Sequence, residues 1–426
     1  MEKIVVSGGR PLSGSVKISG SKNASLPLMA ASILSDAPLV LHNVPKLSDI
    51  TLMAELLTHH GVQVSYDPAT QVCALKANSI TNITAQYDIV SKMRASIVVL
   101  GPLLARCGKA TVSLPGGCAI GTRPVNMHID GLRALGADVF IENGYIHAKA
   151  PKGGLVGTTI VLPFATVTGT ENILMAAVLA RGQTTIKNAA KEPEVCDLAA
   201  CLVKMGAQID GIGTDTLVIS GCTRLAGASH SVIPDRIEAA TYAVAGAITH
   251  GDITLKNVIF DDLLAFWDSL TRTGVVVEKT HTRSDSVVDV RVHVPGDIKG
   301  VDIMTEPYPG FPTDAQAQFM ALMTICDDAA MITETVFENR FMHVSELCRM
   351  CANITVHKAS ALVRGVGQLV GATVMATDLR ASVSLVLAGL AAKGDTTIQR
   401  VYHIDRGYER IEQKLQECGA LIEREK

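Results

Sequence analysis

The chain has few aromatic residues: one Trp, seven Tyr and eight Phe among 426 residues. That leaves little from which to build a stacking platform for nucleobases. Neither sign of charge is in excess, since 38 Lys and Arg against 41 Asp and Glu give a net charge of −3. Long-range attraction for nucleic acid or for an anionic membrane is excluded as a basis for binding. Long apolar runs are missing as well. The two longest, 95–105 and 382–392, are bounded by Arg94, Arg106, Arg380 and Lys393, and both fall short of the roughly 20 residues of a membrane span. Residues 1–6 contain no apolar segment of the kind that makes a signal peptide. Neither G-x-x-x-x-G-K-[ST] nor a strand-linked G-x-G-x-x-G is found, and the 12 histidines show no H-E-x-x-H spacing. No metal or cofactor is therefore expected. The ten cysteines follow no disulfide pattern, which suits a reducing cytosol. The one close pair, Cys348-Arg349-Met350-Cys351, has no second C-x-x-C to complete a zinc site and no thioredoxin-like context.

What is present is repetition. With 48% hydrophobic residues the chain is globular and long enough for two sizeable domains. GQTTIKNAAKEPEVCDLAACLVKMGAQI (182–209) and GDTTIQRVYHIDRGYERIEQKLQECGALI (394–422) share Gly-x-Thr-Thr-Ile, an amphipathic stretch and a closing Gly-Ala-x-Ile. The closing glycine recurs as Gly61, Gly136, Gly206, Gly274 and Gly419, with Cys351 in the same slot of a sixth copy. A glycine there is a helix stop. Each copy also opens with a small, alanine-rich apolar stretch, at 22–34, 94–105, 171–180, 238–248, 316–325 and 380–392. Apolar residues on nearly every side predict helices buried all round. The unit reads helix–strand–helix–strand with hairpin strands. Six units predict two domains of three repeats, with the apolar helices at each centre. A solenoid is the alternative, although solenoid units usually run to roughly 20–45 residues.

The helix starts carry charge of an unexpected sign. Ser, Thr and Asp at these places are ordinary caps, but Lys22, Arg94 and Arg380 oppose the helix dipole. Arg123, Arg340 and Arg406 precede the second helices of their repeats. Six cations at related positions point to a polyanionic ligand. One repeat also carries an insertion. From Gly108 to Gly136 is 28 residues, against 24 from Gly182 to Gly206, and the extra residues fall in SLPGGCAIGTRP. Its glycines and the nearby Arg123 allow a reactive thiolate at Cys118. The other reading is a small hydrophobe beside a tight turn.

SGSKNASLP (19–27), KMRAS (92–96), SLPGGCAIGTRPV (113–125), TGTEN (168–172), PDRIEA (234–239), FPTDAQAQ (311–318), ETVFENRFMHV (334–344), ATDLRAS (376–382) and YHIDRGYERIE (402–412) together resemble the UDP-N-acetylglucosamine enolpyruvyl transferases, in unbroken order along the chain. The resemblance implies a two-domain α/β fold of inside-out α/β barrels, three pseudo-threefold repeats each, with the active site in the interdomain cleft. The expected domains are 21–232 and 1–20 plus 233–426, with chain crossings near 20 and 233. The implied reaction moves the enolpyruvyl group of phosphoenolpyruvate to the 3-hydroxyl of UDP-N-acetylglucosamine and releases phosphate, an early cytoplasmic step of peptidoglycan synthesis. It also implies that Cys118 is the proton donor and carries a covalent adduct, and that Asp314 is the base. Lys22, Arg123 and Arg406 are the expected phosphoenolpyruvate contacts. Arg94, Arg340, Asp378 and Arg380 complete their shell, and Asn23 touches the tetrahedral intermediate. Nucleotide-sugar contacts are expected from Arg123, Pro124, Val125, Asn126 and Met127, with Thr166, Val167 and Val336.

Two departures stand out. Asn126 occupies a place where the family commonly has Asp, which keeps an acceptor oxygen and loses the charge. PFATVTG (163–169) replaces a commoner serine-glycine version. The related shikimate-pathway enolpyruvyl transferases share the fold but lack the cysteine loop. A non-catalytic six-repeat clamp around DNA would need a basic stripe that balanced charge does not provide.

Overall fold

The computed structural model of the chain describes residues 2–115, 121 and 124–425. Within these, residues 2–19 and 234–425 form one compact unit and residues 20–115 and 124–233 another. Each unit has its own apolar core.

The third repeat of the 20–233 unit shows the plan. Strand Thr159–Val161 leads into the buried helix Val167–Ala177, and Gln183–Lys187 returns parallel to Thr159–Val161. After helix Pro193–Lys204 comes a hairpin of Gln208–Asp210 and Thr216–Ser220, whose second strand lies antiparallel to Gln183–Lys187. The unit is thus strand–helix–strand–helix–hairpin. It differs from the sequence expectation by the short strand before the first helix. That strand is only three residues long here, too short to show an alternating pattern. All six sheets have this four-stranded order.

The strands bury alternate residues, as in Gln183–Lys187, where Thr184 and Ile186 face inward. Alternation of this kind marks a sheet with one covered face. The covering elements are the apolar first helices. In Arg236–Ile248 every residue from Ile237 onward is buried. It contacts Gln316–Met323 and Leu379–Ala391, which also contact each other. Their small and apolar residues permit burial on all sides.

The first helix of the second repeat is a correction to the expected continuous helix over 94–105. Residues Arg94–Val99 form 3₁₀ turns and the α-helix runs Leu100–Cys107. Pro102 has no N–H to donate and is accommodated at least cost in the first turn of an α-helix, which is where the segment Leu100–Cys107 places it.

The closing position of the second helix is left-handed in all six repeats. Gly61, Gly136, Gly206, Gly274 and Gly419 have φ between 88° and 103°, and Cys351 has φ 69°. Glycine is the residue that adopts this conformation without steric cost.

Candidate active site

In the 234–425 unit, helix Leu379–Ala391 is capped by Asp378, whose carboxylate accepts from the Arg380 and Ala381 amides at 2.8 and 2.9 Å. That cap orients the first turn and drives Arg380 inward, where it is 1% exposed. Its Nε reaches Asp314 Oδ2 at 3.4 Å. Arg340 Nη2 donates to the other carboxylate oxygen, Asp314 Oδ1, at 2.6 Å. Asp314 thus sits between two guanidinium groups, in the 3₁₀ turn Thr313–Ala315 that precedes helix Gln316–Met323.

A second layer fixes Arg340. Its Nη1 donates to Thr313 Oγ1 at 2.8 Å, and the Thr313 hydroxyl donates to Glu334 Oε2 at 2.8 Å. Glu334 Oε1 accepts from Thr305 Oγ1 at 2.9 Å and from the amides of Val336 and Phe337 at 2.9 and 3.0 Å. The segment carrying the expected contact Val336 is held by that carboxylate. Burial opposes the charge on Arg380, but the Tyr408 phenol, Asp314 and Asp235 outweigh it and hold its pKa above the ordinary arginine value. Both Arg380 Nη atoms have no hydrogen-bond partner among the described residues. Such a buried guanidinium retains donor capacity that an anion could engage. His343 lies 1% exposed in the same unit. Burial pushes its pKa down to about 4, with Asp378 opposing the shift and Arg340 adding to it. Arg406 ends the 3₁₀ segment Val401–Arg406, which packs against helix Leu379–Ala391.

In the 20–233 unit, Ser21 caps helix Lys22–Ala31, its hydroxyl accepting from the Ala24 amide at 3.3 Å. Lys22 is buried, with Nζ 3.2 Å from Asp49 Oδ2. Asn23 follows it, half-buried. Arg94 opens the turn Arg94–Val99, which packs against helix Lys22–Ala31. Thr166 is the cap residue of helix Val167–Ala177, and both Thr166 and Val167 are half-buried. Pro124 and Asn126 are exposed, Met127 is half-buried and Val125 is buried, at the start of helix Asn126–Ala134. Cys118 and Arg123 lie outside the described residues.

Sequence reasoning passed over two polar centres. Asn172 joins three elements: its Oδ1 accepts from the Gly101 amide at 2.5 Å and its Nδ2 donates to Ile97 O at 3.0 Å and to His128 Nδ1 at 2.9 Å. Its neighbour Glu171 is 2% exposed. Burial, and then the charges of Glu194 and Glu192, push the Glu171 carboxyl well above the usual range. TGTEN carries both residues, yet nothing local distinguishes a buried Glu from a solvated one.

A family model described as EPSP synthase (3-phosphoshikimate 1-carboxyvinyltransferase) matches residues 6–415. The chain belongs to the enolpyruvyl transferase family. It is accordingly a transferase. Relatives of this enolpyruvyl transferase include a UDP-N-acetylglucosamine 1-carboxyvinyltransferase of Rhodospirillum centenum, 57% identical over 100% of the chain and 99% of the relative. One of Gluconacetobacter diazotrophicus is 58% identical over the same shares. Among solved structures, the enolpyruvyl transferase NikO from Streptomyces tendae superimposes with a TM-score of 0.88 at 25% identity, covering 99% of this chain and 98% of that one. EPSP synthase from Acinetobacter baumannii gives 0.76 at 17% identity over 100% of both chains, a likeness of fold.

Proposed function

We infer that this enolpyruvyl transferase moves the enolpyruvyl group of phosphoenolpyruvate to the 3-hydroxyl of UDP-N-acetylglucosamine and releases phosphate. The observation that carries the reading is full-length identity of 55–58% to enzymes named for that sugar nucleotide. The cation set supports it. Phosphoenolpyruvate is a compact polyanion, and Lys22, Arg94, Arg123, Arg340, Arg380 and Arg406 are the groups that would balance its charge.

Chemically, the reaction is an addition followed by an elimination. Cys118 protonates C3 of phosphoenolpyruvate, which makes C2 electrophilic. The sugar 3-hydroxyl adds to C2 as Asp314 takes its proton. Loss of a proton from C3 then expels phosphate. Asp314 suits the role of base because two guanidinium groups fix its carboxylate in place. An incoming phosphate or carboxylate competes for Arg340 and Arg380, freeing a carboxylate oxygen for the hydroxyl proton. Asn23 stabilises the tetrahedral intermediate, and residues 124–127, 166–167 and Val336 receive the nucleotide. No helix among the described residues is long and apolar enough to cross a membrane. The reaction belongs to peptidoglycan synthesis in the cytoplasm.

The test is phosphate release from phosphoenolpyruvate with each of two acceptors. Release with UDP-N-acetylglucosamine is expected. Release only with shikimate 3-phosphate would move the chain to the sister reaction. Cys118→Ser should lose about 10²–10⁴-fold in turnover, the usual worth of a general acid. Cys118→Asp should retain activity and escape alkylation by the epoxide fosfomycin.

A further inference from the structure

Tyr408 is buried, at 2% exposed, and has a role in neither substrate binding nor chemistry in the reading above. It lies two residues past Arg406 and touches all three central helices of its unit. From helix Leu379–Ala391, the Arg380 guanidinium carbon sits 5.3 Å from the centre of its ring. From helix Arg236–Ile248, Thr241 Oγ1 is 2.9 Å from its hydroxyl. From helix Gln316–Met323, Gln318 Nε2 is 3.2 Å from the same hydroxyl.

The direction of these bonds follows from counting protons. Thr241 has one hydroxyl proton and donates it to the Ile237 carbonyl at 2.8 Å, so towards Tyr408 it accepts. The phenol is then the donor to Thr241, and Gln318 Nε2 lies 3.2 Å from both the Tyr408 hydroxyl and Thr241 Oγ1, able to donate to either. The same Gln318 Nε2 donates to the main-chain carbonyl of Asp314 at 2.9 Å. The hydroxyl is thereby locked, and so is the plane of the ring. Arg380 depends on that plane. Its Nη atoms have no partner among the described residues, and its Nε contact with Asp314 is long, at 3.4 Å. Besides Asp314, the Tyr408 side chain supports this buried cation, with its ring face 5.3 Å from the guanidinium carbon and with its hydroxyl, which helps to raise the Arg380 pKa.

We propose that Tyr408 is a positioning residue that holds Arg380 against Asp314 with both Nη donors available to an anionic substrate. The proposal rests on the reading that the site takes phosphoenolpyruvate. Gln318 and Thr241 act through it, holding the ring, and Gln318 also ties the Asp314 backbone to the same point.

The experiment compares Tyr408→Phe and Tyr408→Leu with the unmodified full-length chain. Two readouts are taken: steady-state KM for each substrate, and calorimetric binding of phosphoenolpyruvate in the presence of 3-deoxy-UDP-N-acetylglucosamine, which lacks the reacting hydroxyl. Tyr408→Leu removes the ring face and should weaken phosphoenolpyruvate about tenfold or more, the scale of a desolvated cation–π contact. The KM for the sugar nucleotide should stay within about twofold. Tyr408→Phe keeps the face but loses the hydroxyl that fixes its plane, and should recover only part of the loss. Equal effects on both substrates, or unchanged phosphoenolpyruvate affinity in a folded Tyr408→Leu, would overturn the proposal. If the unmodified chain binds phosphoenolpyruvate but turns over with neither acceptor, the reaction assignment fails while the binding comparison still decides the role of Tyr408. If the unmodified chain does not bind phosphoenolpyruvate, both readings fall.

Discussion

Asp314, Arg340 and Arg380 were legible as charged residues at repeat-related helix starts, and the structure brings the three together with both carboxylate oxygens engaged. Glu171 makes the more testable case for what burial does to a single residue. Its carboxyl titrates well above the usual range because burial disfavours the charged form. The folded state then keeps a proton that the unfolded chain, with Glu near 4.3, has already released. A raised folded pKa contributes stability that is complete below the unfolded pKa and is lost as pH rises through the folded value. Glu171→Gln cannot ionise and should keep that stability. We expect its melting temperature to exceed that of the unmodified chain at pH 8, with the gap closing near pH 4. A gap of the same size at both pH values would count against an ionisation effect. The acidic character of Glu171 was visible in the sequence, but its burial was not, because the residues that exclude water from it come from distant segments.

At the scale of elements, the sequence was read most directly where conformation is local. The six helix stops are a case in point, since a left-handed φ is written into the residue that adopts it. Cys351 is the exception among them, and carrying a Cβ in that conformation costs roughly 1–2 kcal/mol, part of which glycine gives back through its freer unfolded state. Cys351→Gly is therefore expected to raise stability by about 0.5–1 kcal/mol in urea titration, with an unchanged m-value. Two other glycines serve close approach. A Cβ on Gly221 would lie 1.6 Å from the Ala180 carbonyl oxygen, and one on Gly365 would lie 1.6 Å from that of Cys326. Each glycine follows the last hairpin strand of its repeat and meets the chain just beyond its central helix. Neither carbonyl can yield without moving backbone, so Gly221→Ala should cost about 3 kcal/mol or more, the upper range of overpacking. A loss below about 1 kcal/mol would show that the contact relaxes freely. The split of 94–107 into 3₁₀ and α segments agrees with Pro102 in the first α turn, but Pro27 sits inside the continuous helix Lys22–Ala31, so a proline alone did not dictate it.

At the scale of the molecule, the ends of the chain complete sheets whose other strands lie far away in sequence. Strand Lys3–Ser7 lies between Asp395–Gln399 and Leu421–Glu425, antiparallel to both. Strand Ser13–Lys17 is the parallel edge of the sheet containing Asp252–Ile259, and Ala228–Ser231 plays that part for Leu39–His42. The segment 2–19 is thus structural to the 234–425 unit. Deleting residues 1–8 should expose the inner edges of two strands and destabilise that unit selectively. Hydrogen exchange would show it as lost protection over 395–399 and 421–425, with strands such as Gln183–Lys187 in the other unit unaffected. Uniform loss across both units would contradict this assignment.

By itself the sequence determined the repeat number, the apolar helices, the left-handed stops and the cations at helix starts. These depend on periodicity and on φ preferences that act within a few residues. Only the tertiary structure decided which strand closes which sheet, which carboxylate two arginines hold, and which tyrosine supports one of them. Those outcomes depend on contacts between residues far apart in sequence, such as Thr241 with Tyr408, 167 positions away, and Lys3 with Gln399. No local pattern encodes such pairings, because they form only when the repeats have packed around a common core.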